Sequence, residues 1–218
     1  PSNSQVMGMN VVVNGNTSHG YVVINSDVHG VVIKRNRFER GISFSGTAAQ
    51  HISDVYILQN FFAGYTNGSI LFTNNNTAFY PPDDITFNNN ICQNKLIWKN
   101  STTTWSIKTC HYNVFDGPAN GLNLEFNSDS FRNNILKASG QIAIINNGNN
   151  NQVSHNTVSV ATVFNGATGN VVVADMSTLF VNPTTNTTDG DYQLQAGSAL
   201  GSDGVTPRGV FGGAEVNR

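Results

Sequence analysis

The chain has 218 residues, of which 11% are charged, and its formal net charge at neutral pH is −2. This low charge excludes the broad basic surface of nucleic-acid-binding proteins, because Lys34, Arg35, Arg37 and Arg40 form only a local cluster. No run of about 18 apolar residues is present, so the sequence predicts no membrane-spanning helix.

One short pattern recurs from the first residues onwards: an apolar residue, two variable residues, an asparagine, a variable residue and a second apolar residue. The seven copies begin at Met7, Ile33, Ile57, Phe87, Cys110, Phe131 and Val153, and their asparagines are Asn10, Asn36, Asn60, Asn90, Asn113, Asn134 and Asn156. Successive asparagines are 21 to 30 residues apart, a period near the short end for repeat proteins. The irregular spacing indicates that insertions lie in loops.

A second apolar segment follows each asparagine from Asn10 to Asn134 and begins five to ten residues later in the sequence. These segments are GYVVIN at 20–25, GISFSG at 41–46, GSILFT at 68–73, KLIWKN at 95–100, GLNLEF at 121–126 and GQIAII at 140–145. They are short, rich in β-branched and aromatic residues and bounded by Gly, Asn or Ser, which predicts strands. A repeat of this length with two or three strands predicts an all-β solenoid, with parallel coils stacked about 4.8 Å apart.

Stacking explains why an asparagine recurs at one position. A side-chain amide has both donors and an acceptor, so stacked asparagines can hydrogen-bond along a column. The asparagine is also expected to adopt the bend itself, because it tolerates left-handed torsions. The flanking apolar residues are expected to form two inner columns: Ile33, Ile57, Phe87, Cys110, Phe131 and Val153 in one, and Phe38, Phe62, Cys92, Phe115, Leu136 and Val158 in the other. For Cys92 and Cys110, buried free thiols are favoured over a disulfide.

With this repeat the chain resembles the right-handed parallel β-helix proteins of the pectate-lyase-like superfamily, in which an asparagine ladder marks a bend between strands. Residues 177–204, STLFVNPTTNTTDGDYQLQAGSALGSDG, are similar to the closing stretch of secreted bacterial β-helix proteins, with Ala199 where that family usually has proline. The resemblance implies an all-β, right-handed parallel β-helix of about eight coils with an Asn ladder. Residues 1–176 would form the coils and residues 177–218 a closing segment, and the location would be extracellular or on a bacterial-type cell surface.

The beginning of the chain departs from that family. Its members usually start with an amphipathic cap over the first coil, whereas here the first asparagine motif lies within ten residues of Pro1. An uncapped coil would expose strand edges and apolar core. We therefore expect upstream residues, or another chain, to cover that end.

The resemblance is specific for the fold and weak for activity, because the superfamily includes lyases, hydrolases, epimerases and non-catalytic surface proteins. A lyase needs a base and a cation that neutralises the uronate carboxylate. Outward positions of neighbouring coils bring together His111 or Tyr112 as the base and Arg132 as the neutralising group, although a solvated strand face explains the same residues. No cofactor is predicted. A calcium ion is compatible with a lyase, but Asp129 has no stacked acidic partner.

Hydrolysis is poorly supported. Asp83 and Asp84 are the only adjacent carboxylates, and their place after Pro81-Pro82 predicts a solvent-facing turn. Aromatic residues in loops, namely Phe79, Tyr80 and Trp105, are candidates for stacking on sugar rings, or else fold back over a coil.

The second apolar segments carry a stripe that alternation places outside, at Val23, Leu71, Ile97 and Ala143. Such a stripe predicts cover by a loop, a neighbouring domain or an identical subunit. A shift of one residue would exchange inside for outside.

Three functional hypotheses follow from the sequence. The first is an extracellular β-helix module with a binding or structural role at the cell surface or on a polysaccharide, and its partners are a polysaccharide or identical subunits. The second is a polysaccharide lyase acting on an acidic glycan by β-elimination. The third is a trimeric β-helix of the tail-fibre or adhesin type.

Overall fold

A computed structural model describes the protein at residues 21–25, 28–38, 41–45, 52–62, 70–74, 83–93, 96–100, 106–116, 124–125, 127–137, 152–154, 156–158, 169, 171–172, 179–182 and 191–195. The regular secondary structure in these ranges consists entirely of β-strands, and all sheets but one are parallel. The predicted all-β, parallel character is therefore confirmed there. Nowhere in these ranges is there a helix of the length and apolarity needed to cross a membrane. Asn10, Phe79, Tyr80, Trp105 and Ala143 lie outside the described residues.

Two parallel sheets contain the strands on either side of the repeated asparagine. Sheet A has six strands, β3 (Val32–Lys34), β7 (Tyr56–Leu58), β10 (Thr86–Asn88), β13 (Ser106–His111), β16 (Asn127–Arg132) and β18 (Gln152–Ser154). Sheet B has seven, β4 (Arg37–Phe38), β8 (Phe61–Phe62), β11 (Ile91–Cys92), β14 (Val114–Asp116), β17 (Ile135–Lys137), β19 (Thr157–Val158) and β20 (Val171–Val172). Neighbours within each sheet come from successive repeats, so each repeat from the one at Ile33 to the one at Val153 adds one strand to each sheet.

The second apolar segments form further parallel strands. These are β1 (Tyr21–Asn25) paired with β5 (Gly41–Ser45), and β9 (Ile70–Asn74), β12 (Leu96–Asn100) and β15 (Leu124–Glu125) in one sheet. A short pair, β2 (Val28–His29) and β6 (Ile52–Ser53), precedes sheet A, and β21 (Phe180–Asn182) pairs antiparallel with β22 (Asp191–Leu194). Within the predicted apolar stripe, Leu71 and Ile97 are in register, and Glu125 is the next residue in line.

The bend between sheets A and B falls on the residue before the asparagine, not on the asparagine itself. The residues in left-handed conformation there are Arg35 (φ 59°), Gln59 (φ 55°), Asn89 (φ 57°), Tyr112 (φ 58°) and Asn133 (φ 55°). Our expectation that the asparagine adopts this torsion is therefore wrong. The physical reason is that the asparagine side chain is committed to hydrogen bonds along its column, while the residue before it turns the chain. A second bend, six residues before the asparagine, uses Gly30 (φ 72°), Asp54 (φ 53°) and Asp84 (φ 50°).

This placement of the bend predicts different effects for two substitutions of Gln59, whose side-chain Oε1 accepts a hydrogen bond from Arg35 Nε at 3.2 Å. Gln59→Gly should change the free energy of unfolding by less than about 1 kcal/mol, because relief of the left-handed strain offsets the added chain entropy. Gln59→Val should destabilise by about 1–3 kcal/mol, since a β-branched residue tolerates this torsion poorly. Urea unfolding measures both, and equal stabilities of the two variants would contradict the assigned bend.

The two predicted inner columns lie in the core, and both are confirmed for the residues with described side chains. The fully buried members of the first are Ile33, Ile57, Phe87, Cys110 and Phe131, and those of the second are Phe38, Phe62, Cys92, Phe115 and Leu136. Five phenylalanines from the two columns, Phe38, Phe62, Phe87, Phe115 and Phe131, form one continuous file, with successive ring centroids 5.1, 5.9, 6.5 and 6.1 Å apart and the rings nearly parallel. Each repeat therefore packs its aromatic residue on that of the next.

The two cysteines are free and fully buried, as the sequence predicts. Burial raises the pKa of both thiols, and the hydrogen bond that Asn113 donates to the Cys110 sulfur opposes that rise. These thiols therefore behave as small apolar side chains of the core.

Six of the seven repeated asparagines form a hydrogen-bonded column at the bend, and their side chains are buried. The Nδ2 to Oδ1 distances are 3.2 Å from Asn36 to Asn60, 3.1 Å from Asn60 to Asn90, 3.2 Å from Asn90 to Asn113, 3.0 Å from Asn113 to Asn134 and 3.1 Å from Asn134 to Asn156. The Oδ1 of each asparagine from Asn60 to Asn156 also accepts the main-chain N–H of the preceding asparagine in the column, at 2.8 to 3.0 Å. The column thus joins successive repeats through both side chain and main chain.

Residues 179–182 and 191–195 pack on the outer face of sheet B. Consecutive strand residues point to opposite faces, so the residue directly after each asparagine points away from the inner columns. Four such residues, Phe61, Ile91, Val114 and Ile135, pack against Leu179, Phe180 and Tyr192. The Tyr192 hydroxyl donates to Asp116 Oδ2 at 2.6 Å and accepts from Gln93 Nε2 at 3.1 Å. This apolar outer face, which the sequence pattern did not reveal, is covered by the chain itself.

Candidate functional site

The outer face of sheet A carries two columns of side chains. Because Ile57, Phe87 and Cys110 point inward, the residues on either side of each point outward. The hydroxyl column consists of Tyr56, Thr86, Thr109 and Ser130, and the mixed column consists of Lys34, Leu58, Asn88, His111 and Arg132. Every member is at least partly exposed. The strand register therefore places a polar, solvent-facing surface on sheet A.

His111 lies in the middle of this surface. Its Nε2 is 2.8 Å from the Ser130 hydroxyl, its main-chain N–H donates to Asn88 Oδ1 at 2.8 Å, and Arg132 is its partner in the next strand. Partial burial lowers the pKa of His111 from its ordinary value, and the positive charge of Arg132 lowers it further. The imidazole is therefore neutral at neutral pH, and a neutral imidazole can accept a proton.

The three residues predicted for lyase chemistry come together on this face. The His111 and Tyr112 rings meet edge to face with centroids 6.1 Å apart, and Tyr112 occupies the left-handed bend. Arg132 is in register with His111, and its buried Nε has no hydrogen-bond partner among the described atoms. The geometry thus puts a neutral base beside a cation.

The acidic residues lie at the other edge of sheet A, near the second bend. Asp83 and Asp84 are exposed, as the prediction of a solvent-facing turn requires, and Lys108 Nζ bonds Asp84 Oδ1 at 2.6 Å. This hydrogen bond, together with the charge of Asp84, raises the pKa of Lys108. Asp129 is exposed in β16. The residues on either side of Asp129 pair in register with those on either side of Lys108, so Asp129 and Lys108 occupy equivalent positions in neighbouring strands. The described part of the chain contains no group of three or more His, Cys, Asp or Glu side chains placed to hold a metal ion.

Sequence reasoning missed Tyr56, whose side chain is 40% exposed. Among large hydrophobic residues with described side chains, Tyr56 alone is exposed. The signal was present in the sequence, because Tyr56 directly precedes Ile57, which the repeat assigns to the inner column. The candidate sugar-stacking residues Phe79, Tyr80 and Trp105 lie outside the described residues. Of the two tyrosines that the structure places on this surface, Tyr56 is more exposed than Tyr112.

Comparison with known proteins finds no relative for this chain: no family model matches it, and no curated protein or solved structure does so either. The site is therefore assessed from its own geometry and chemistry.

The lowered pKa of His111 predicts a small loss of stability in acid. Above the ordinary histidine pKa of about 6.5, both folded and unfolded chains are neutral at this position. As the pH falls towards the lowered pKa of the folded protein, the unfolded chain binds the proton first, so the free energy of unfolding decreases. Solvent screening at this partly exposed site keeps the decrease below about 1 kcal/mol.

The measurement is urea unfolding at neutral and mildly acidic pH, for the wild type and for His111→Gln. The variant should lose less stability on acidification than the wild type, because the other titrating groups are common to both. A wild type that becomes more stable relative to the variant in acid would show that the pKa of His111 is raised, contrary to this account.

Proposed function

We propose that the protein is an extracellular, right-handed parallel β-helix of about eight coils, similar to the pectate-lyase-like superfamily. In this proposal the asparagine column is the Asn ladder at the bend between sheets A and B, and residues 177–218 form the closing segment. Support comes from the parallel register of successive repeats and from the side-chain hydrogen bonds that join neighbouring asparagines of the column, from Asn36 to Asn156. The packing of Phe180 and Tyr192 on sheet B agrees with a closing role.

The role that this geometry supports best is binding, in which the protein presents a surface to a polysaccharide. The observation that carries the proposal is the outer face of sheet A, where in-register polar side chains face solvent on strands fixed by the asparagine column. Sugar hydroxyls are recognised by hydroxyl and amide side chains, and an exposed aromatic ring suits the apolar face of a pyranose. A rigid scaffold holds such groups in place without a cost of ordering on binding.

Affinity electrophoresis through gels containing different polysaccharides tests this role. We expect at least one polysaccharide to retard the native protein and a heat-denatured sample to run unretarded. Light scattering on the same sample measures whether the chain is a monomer or assembles with identical subunits. A monomer that no polysaccharide retards would overturn both the binding and the structural versions of the proposal.

A lyase acting on an acidic glycan is the second candidate, and the cluster of His111, Tyr112 and Arg132 favours it. His111 or Tyr112 would remove the proton next to the uronate carboxylate, whose charge Arg132 would neutralise. The C–O bond at the neighbouring carbon would then break, leaving a double bond, while the departing oxygen takes a proton from solvent. No metal has a part in this scheme.

Ultraviolet absorbance of unsaturated products distinguishes the candidates. The assay uses polyuronate substrates with the wild type, Arg132→Ala and Lys34→Ala, the last being a matched cation in the same column, four strands away. A binding protein should give no product in any case. If the wild type and Lys34→Ala form product and Arg132→Ala does not, the protein is a lyase and the non-catalytic role is overturned.

A further inference from the structure

We infer that the hydroxyl column of Tyr56, Thr86, Thr109 and Ser130 is a binding track for an uncharged polysaccharide that runs along the stack of repeats. This inference rests on the proposed polysaccharide-binding role and names the surface and the chemical class of the ligand. It places the ligand beside the predicted lyase cluster, on a different column of the same sheet.

The column is continuous across four successive strands. Thr86 pairs in register with Tyr56 on one side and with Thr109 on the other, and Thr109 pairs with Ser130. The Thr109 and Thr86 hydroxyl oxygens are 3.3 Å apart, and the Ser130 hydroxyl lies 2.8 Å from His111 Nε2. Neighbouring strands are about 4.8 Å apart, so the four residues span about 14 Å along the stack. This length suits an extended chain of sugars and exceeds what a single small molecule needs.

The hydroxyl groups retain hydrogen-bonding capacity for a ligand. Each hydroxyl has one donor and two acceptor sites, so a contact with one neighbour leaves others available. Thr86, Thr109 and Ser130 are each partly exposed, which allows solvent or a ligand to reach them. Sugar hydroxyls are themselves both donors and acceptors, and they match such a column without a requirement for charge.

Tyr56 is the last hydroxyl-bearing residue at one end of the column, next to Val32 of the neighbouring strand, and it presents an aromatic ring to solvent. An exposed ring loses little conformational entropy when a ligand packs on it, and it buries a large area. At the opposite end, Ser130 is backed by the imidazole of His111. The track thus has a stacking platform at one end and hydrogen-bonding groups along the rest of its length.

Charge selects an uncharged ligand over a polyuronate. The edge of sheet A next to the column carries four exposed carboxylates, Asp54, Asp83, Asp84 and Asp129. Lys108 neutralises Asp84 at 2.6 Å, and the exposed Asp54 and Asp129 would repel a carboxylated chain.

The cations at the two ends of the track do not reverse this preference. Arg132 lies beyond Ser130 at one end, Lys34 and Arg35 lie at the other end, and the neighbouring His111 is neutral at neutral pH because its pKa is lowered. Positive charges confined to the two ends do not place a cation beside every sugar, as a polyuronate requires.

The test measures dissociation constants for dextran, galactomannan, polygalacturonate and alginate by affinity electrophoresis and calorimetry. We expect the wild type to bind an uncharged polymer, with an affinity that changes less than about twofold between low and high salt.

Tyr56→Ala should weaken binding about tenfold, as loss of an aromatic anchor does, and Tyr56→Phe, which keeps the ring, should stay within about twofold of the wild type. Thr109→Val, which keeps the shape and removes the hydroxyl, should weaken binding about fivefold. Melting temperatures within a few degrees of the wild type show that the variants fold, as expected for exposed positions.

The possible outcomes distinguish failure of the track, of the ligand class and of the proposed function. Uncharged-polymer binding that Tyr56→Ala and Thr109→Val leave unchanged would overturn the track while the proposed function stands. Binding of polyuronates alone would overturn the ligand class, again without affecting the proposed function. Absence of binding to all four polymers and to a wider panel would overturn the track and the proposed binding role together.

Discussion

Asn134→Ala is expected to lower the free energy of unfolding by about 3–5 kcal/mol, because it removes a side chain from the middle of the asparagine column. Asn134 Oδ1 accepts from both Asn113 N and Asn113 Nδ2, and its Nδ2 donates to Cys110 O at 2.8 Å. Alanine leaves these buried partners unpaired, and each unpaired group costs about 1–3 kcal/mol. Since proteins of this size are typically stable by about 5–15 kcal/mol, a substantial part of the total would be lost.

The adjacent Asn133 supplies a matched control for Asn134→Ala. Asn133 lies outside the column in a left-handed conformation with φ of 55°, and its buried Oδ1 has no hydrogen-bond partner among the described atoms. Asn133→Gly should therefore change stability by less than about 1 kcal/mol. Urea unfolding with matched m-values measures both variants. Equal losses at the two positions would contradict the assigned role of the column.

Phe87→Ala is expected to destabilise the protein by about 3–5 kcal/mol, because it removes a ring from the middle of the aromatic file. Phe87 is fully buried, and its ring lies 5.9 Å from that of Phe62 and 6.5 Å from that of Phe115. The cavity would lie between successive repeats, where the fixed strand spacing limits collapse.

Two controls define the effect of Phe87→Ala. Phe87→Leu keeps most of the volume and should cost less than about 2 kcal/mol. Leu58→Ala, on the outer face of the neighbouring strand, should cost less than about 1 kcal/mol because that side chain is partly exposed already. If thermal and urea unfolding showed a larger loss of stability for Leu58→Ala than for Phe87→Ala, the assignment of inner and outer faces to these strands would be wrong.

The inner columns could be predicted from the sequence because a strand has a period of two. A slip of one residue would move Ile57 and Phe87 to the solvent face, so the repeated apolar positions fix the register. The asparagine likewise identified equivalent points of successive repeats. These local patterns were sufficient for the direction of the strands and for the members of the core.

The residue at the bend could not be predicted from preference alone. Asparagine tolerates left-handed torsions, yet Arg35, Gln59 and Tyr112 adopt them while the asparagines of the column do not. The requirement to satisfy buried amides along the column outweighs the torsional preference of a single residue.

The cover over sheet B was also beyond the sequence pattern. Tyr192 meets Gln93 and Asp116, which are 99 and 76 residues away along the chain. No periodicity connects such distant positions, so the covered face is visible only in three dimensions. In the candidate site, the outward positions of His111 and Arg132 could be predicted from the alternation of inward and outward residues in each repeat. The outward position of Tyr56 was likewise present in the alternation, whereas the lowered pKa of His111 depends on the neighbouring strand and could not be predicted.

The central claim is that successive repeats stack in register as parallel strands, and cross-linking between paired positions tests it most directly. Thr86 and Thr109 are partners in adjacent strands, so Thr86→Cys with Thr109→Cys places the two Cα atoms about 4.8 Å apart, within the range for a disulfide. Thr86→Cys with Ser130→Cys spans two strand spacings, about 9.6 Å, which is too far. Cys92 and Cys110 are fully buried and do not compete. Mass spectrometry after mild oxidation should find a disulfide in the first pair and none in the second. A disulfide in the second pair, with the first left reduced, would contradict the stacking on which the site and its function are built.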